Sequence, residues 1–75
     1  MTARPTLRRG DRGPDVTLVQ TCLGVALVDG VFGTLTESAV KIFQYEQGLA
    51  ADGIVGPLTW AKLEQVYNFR RGRAP

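Results

Sequence analysis

Asp29-Gly30-Val31-Phe32-Gly33-Thr34-Leu35-Thr36 is written again, 23 residues later, as Asp52-Gly53-Ile54-Val55-Gly56-Pro57-Leu58-Thr59. Five of the eight positions are identical and two more keep an apolar residue. A repeat this short is one supersecondary unit used twice, and such units are stable only when packed on each other. Asp-Gly is turn chemistry, and the residues that follow become apolar at helical spacing, so each copy predicts a tight loop feeding a helix. By symmetry Gly33 and Gly56 are the expected N-caps. The Thr34-to-Glu37 spacing offers a capping box as the alternative in the first copy.

Working outward, Gly10-Asp11-Arg12-Gly13-Pro14 reads as a turn and a helix start, with Pro14 at the first helical position and Asp15 favourable to the helix dipole. The first helix is expected over 14–23, with Val16, Val19 and Leu23 facing the core and Gly24 as its stop. The second is expected over 34–47, ending at Gly48, with Thr36, Ala39, Val40 and Phe43 on its core side. Leu35, Ile42 and Tyr45 then form a partly covered shoulder. The third is expected over 57–67, with Trp60, Leu63 and Tyr67 inward and Leu49 plugging the core from the second loop. The fold class is all-α: a three-helix bundle built from a pseudo-two-fold loop–helix repeat. A short strand pairing between Val31-Phe32 and Ile54-Val55, which are symmetry mates, is a further expectation.

The chain of 75 residues holds one domain. Residues 1–6 read as a flexible leader, 7–67 as the domain and 68–75 as a basic flexible tail. The net charge of +2 conceals a segregation, since residues 1–12 and 68–75 each sum to +3 and the stretch between them to −4. Basic ends attract polyanions in general, and arginine in a terminal tail is equally a plain solvated end. No apolar run approaches the roughly 18 residues of a membrane span, and no secretory signal is visible behind Met1. One cysteine and no histidine exclude an internal disulfide and leave no usual zinc ligand set. They also remove Ser-His and Cys-His machinery. No metal, cofactor or catalytic residue is expected.

With these residues placed, the chain resembles the small three-helix peptidoglycan-binding module often fused to cell-wall hydrolases. Leu7-Arg8-Arg9-Gly10 with Gly13-Pro14-Asp15-Val16 looks like its opening. Val19-Gln20 and Leu23 occupy the places of its Leu-Gln and Leu. Val28 through Gly33, then Thr36, Ala39-Val40 and Phe43-Gln44, match its centre. Gly48-Leu49, Asp52 through Pro57, Thr59-Trp60 and Leu63 match its end. The likeness covers about residues 7–66 and is a spaced ensemble. The connection from Leu23 to Val28 is shorter than the family's usual Gly-Tyr-containing loop, and Val19 stands where leucine is typical.

The resemblance implies non-catalytic binding of bacterial peptidoglycan, through its glycan or stem peptide, that targets or anchors a covalently linked hydrolase such as an endolysin or amidase. It implies a monomer at the cell wall, with delivery as part of a phage lysin equally open. The candidate ligand residues are Asp29, Phe32, Ile42, Gln44, Tyr45, Asp52, Ile54 and Trp60. Several carry a plainer reading. Asp29 and Asp52 suit turn-holding better than ligand contact, and catalysis on a glycan least of all. Trp60 and Phe32 fit packing, Tyr45 is even between packing and binding, and Gln20 and Gln44 fit loop-tying. The four loop glycines are read first as positive-φ positions, and Cys22 as a small buried filler. Two rival functions remain: a small basic nucleic-acid-binding helical domain, and the regulatory pro-domain of a hydrolase.

Overall fold

The computed structural model describes residues 4–67 and forms three helices, α1 (Pro14–Leu23), α2 (Thr34–Glu46) and α3 (Pro57–Tyr67). The basic tail expected at 68–75 lies outside the described residues. Pro opens α1 and α3, where a missing N–H leaves no helical bond unmade. Gly33 is the N-cap of α2 with no side-chain cap bond, so the capping-box alternative does not form. The symmetry of the two loop-to-helix junctions is visible in the first turns: Glu37 N donates to Gly33 O and Trp60 N to Gly56 O, both at 2.9 Å. Gly24 closes α1 in the left-handed region at φ 68°, where a Cβ is disfavoured. Gln47 caps α2, one residue earlier than Gly48.

The core is Leu7, Val16, Val19, Phe32, Val40, Phe43, Val55, Trp60 and Leu63. Each fully buried side chain of this kind contributes about 1.5–3 kcal/mol, so nine of them form a small core in which every member matters. Leu23 is only partly buried and packs against this cluster. Leu49 is likewise half-buried, so it does not plug the core as expected. Tyr67 is 41% exposed, though its ring centroid lies 6.2 Å from that of Phe43.

The two loops do not pair with each other. Each pairs instead with the segment before α1, through isolated bridges Leu7↔Val55 and Arg12↔Val31. Leu7 and Val55 exchange both backbone bonds, at 3.0 and 2.8 Å. At the first loop Gly10 N donates to Phe32 O, Phe32 N to Asp11 O and Gly13 N to Gly30 O, all within 2.9 Å. The expected loop-to-loop strand is replaced because the preceding segment supplies the partners that exposed loop backbone requires. Two residues assigned to the leader also pack on the fold. Arg4 lies 3.1 Å from Asp15 and 3.8 Å from Glu64, with its guanidinium 5.0 Å above the Trp60 ring. Trp60 Nε1 donates to Pro5 O at 2.8 Å.

Candidate functional site

Each Asp-Gly loop is built around one buried glutamine from the preceding helix. Gln20 on α1 donates from Nε2 to Asp29 Oδ1 (3.1 Å), Val31 O (3.0 Å) and Thr36 Oγ1 (2.9 Å). Its Oε1 accepts the N–H of Asp29 and of Gly30 at 3.1 and 2.9 Å. Gln44 on α2 repeats this, donating to Asp52 Oδ1 (3.0 Å), Ile54 O (2.9 Å) and Thr59 Oγ1 (3.0 Å) and accepting from Gly53 N (2.9 Å). A primary amide carries the donor and acceptor set of backbone, so it can stand in for a strand neighbour inside the fold. No buried side-chain polar atom among the described residues lacks a partner, as buried polar groups require.

The aspartates complete the turns. Asp29 Oδ1 accepts from Val31 N at 3.0 Å and Asp52 Oδ1 from Ile54 N at 2.9 Å. The backbone bonds from Val31 and Ile54 lead in holding both carboxyls below the usual carboxylate range; desolvation opposes them, more than the Gln44 amide helps at Asp52 and less than the Gln20 amide helps at Asp29. Arg8 adds a weak pull in the same direction on Asp52. A general acid for glycoside cleavage needs its pKa raised, so the pair is tuned away from that chemistry.

The eight candidate ligand residues divide by burial. Phe32 (1% exposed), Gln44 (1%) and Trp60 (4%) are inside the fold, which agrees with their plainer reading as packing and loop-tying residues. Phe32 fills the core from the loop, Gln44 is saturated by its four bonds, and Trp60 is covered by Arg4 and tied to Pro5. Ile42 and Tyr45 stand out on α2, 60% and 80% exposed. Asp29 and Asp52 are exposed and Ile54 half-buried.

Of the five candidates that are not buried, Asp52 and Ile54 share a concavity. A cleft of about 180 Å³ opens beside the second loop, walled by Leu49, Ala50, Ile54, Pro57 and Leu58, with Asp52 as its ionisable group. Gln44 and Thr59 lie at its floor. Leu49, Pro57 and Leu58 were missed as candidates, although Leu58 repeats Leu35 in the duplicated stretch and both are exposed where a core residue would not be. The arginines expected to favour polyanions are partly engaged: Arg4 by Asp15 and Glu64, and Arg9 by Glu37 at 3.1 Å. No helix among the described residues is long and apolar enough to cross a membrane.

Comparison with known proteins gives this architecture its relatives. An uncharacterized protein of Kitasatospora aureofaciens is 45% identical over 80 residues, covering 99% of this chain and 66% of that protein. The spore cortex-lytic enzyme of Halalkalibacterium halodurans is 43% identical over 70 residues, covering 87% of this chain and 21% of the enzyme. The chain thus spans 66% and 21% of the lengths of these two relatives. The crystal structure of the SleB N-terminal domain superposes with a TM-score of 0.82 at 34% identity, over 88% of this chain and 97% of that domain. Residues 12–63 match the family described as "Putative peptidoglycan binding domain", and with the buried glutamines, paired Asp-Gly loops and three helices in place, the chain belongs to that family.

Proposed function

We propose that this chain is a non-catalytic docking module that holds a cell-wall hydrolase on bacterial peptidoglycan, and that the cleft beside the second loop is its contact surface. The cleft carries the reading. It is the place where exposed apolar side chains, an ionised carboxylate and a loop pre-ordered by Gln44 converge. Pre-ordering lowers the entropy lost on binding. Ile42 and Tyr45 on the outer face of α2 extend the surface available to a long polymer.

Such a module works by mass action. Tethered to a catalytic domain, it raises that domain's effective concentration at the wall without contributing to bond cleavage. The match to 21% of a spore cortex-lytic enzyme supports that arrangement. A monomer located at the cell wall, whether secreted or delivered within a lysin, follows from the same reading. Co-sedimentation with insoluble sacculi at low salt tests it, and the purified chain should move to the pellet. A chain left wholly in the supernatant would contradict the proposal.

A further inference from the structure

The cleft beside the second loop pairs apolar walls with a charge of one sign. Leu49, Ile54, Pro57 and Leu58 present aliphatic surface, and Asp52 is the ionisable residue among those lining it. Asp52 Oδ1 is held by Ile54 N and Gln44 Nε2, which fixes the carboxylate in orientation. Its Oδ2 makes no hydrogen bond or ion pair with any described residue. The polar groups at the floor, Gln44 and Thr59, already bond to each other at 3.0 Å. A ligand entering the cleft therefore meets a mostly hydrocarbon surface with one carboxylate among its lining residues.

Long-chain ammonium groups match such a surface, because their methylenes lie on apolar walls while the charged head stays wet. An anion in a cleft this small would be repelled by Asp52. We propose that the cleft takes an aliphatic primary amine, its ammonium meeting Asp52 Oδ2 and its methylene stem lying on Leu49, Ile54 and Leu58. In murein the group of that chemistry is the side-chain amine of a diamino acid in a stem peptide that has not been cross-linked. The inference rests on the docking function proposed above and adds a preference to it: cross-linking converts that amine to an amide, so the module favours strands with free stems.

The test compares sacculi with their amines intact against the same sacculi exhaustively acetylated. The wild-type chain should bind the acetylated preparation about two- to fivefold more weakly, the scale of an exposed ion pair. Asp52→Asn should bind the two alike. If Asp52→Asn fails to fold, Leu58→Lys, at a side chain 72% exposed, places a cation on the same rim and should abolish the ratio. A wild-type chain that binds acetylated sacculi equally or more tightly overturns the inference and leaves docking standing. A chain that binds neither preparation overturns both.

Discussion

The loops at 29–33 and 52–56 are held by matching hydrogen bonds, but they are embedded differently. In the first, the segment before α1 lies across the loop with three backbone bonds, to Gly30 and to both polar groups of Phe32. In the second, the same segment contributes only the Leu7–Val55 pair. In the first loop the aspartate follows its glutamine by nine positions and the helix begins at Thr34, whereas in the second it follows by eight and the helix begins at Pro57. The second borders the cleft. One unit, duplicated, is thus braced by the preceding segment in its first copy and borders an open cleft in its second. The glutamine–aspartate hydrogen bonds hold both turns, and the two copies differ in what the flanking segment leaves uncovered.

The largest expected effects come from breaking that network. Gln20→Leu and Gln44→Leu each keep the side-chain volume but strand buried loop groups, and each should cost about 3 kcal/mol in urea unfolding. Against a total on the order of 5 kcal/mol for a domain of this size, either variant is close to unfolding. Gln20→Leu should be the worse, because Gln20 Oε1 serves two N–H groups and Gln44 Oε1 one. Equal midpoints would mean that the extra bond to Asp29 N adds nothing.

A smaller effect separates the symmetric threonines. Thr36→Val and Thr59→Val remove one acceptor from Gln20 or Gln44 and leave the other partners in place. Each should cost about 1 kcal/mol. A loss well above that in one copy alone would show that the two networks are not energetically equivalent.

The carboxylates provide a pH test of the comparison. Asp29 and Asp52 both have lowered pKa values in the folded state. Their contribution to stability is therefore complete above the unfolded value, about pH 4, and is lost as pH falls through the folded values. Urea midpoints should drop between pH 5 and pH 2, and Asp29→Asn with Asp52→Asn should flatten that drop. A double variant as acid-sensitive as the wild type would place the sensitivity elsewhere. The smallest expected effect is at Cys22, where burial raises the thiol pKa despite the nearby Arg4. Its native-state alkylation should be slower than that of the unfolded chain.

Much of this was legible because it is local. Pro14, Gly24, Gly33 and Pro57 mark helix ends through their own backbone preferences, and the apolar stripes of Val16 and Val19 or Val40 and Phe43 report their faces directly. The loop-tying role of the two glutamines was also within reach. Their partners Thr36 and Thr59 were not singled out as such, although they repeat at the 23-residue offset. The segment before α1 was harder, since residues 4–12 carry no periodicity and their order comes from contacts made by Arg4, Pro5 and Leu7 to distant chain. Phe32, Gln44 and Trp60 are types that often contact ligands, and their plainer reading as packing and loop-tying residues agrees with their burial.

The central claim is that the second loop, rather than the first, faces the wall polymer. Amide chemical-shift mapping during titration with a soluble murein fragment tests it most directly. The account predicts shifts concentrated at Leu49, Asp52, Ile54 and Leu58, with Asp29, Val31 and Leu35 left in place. Shifts centred on Asp29 and Leu35, with the second loop silent, would contradict it.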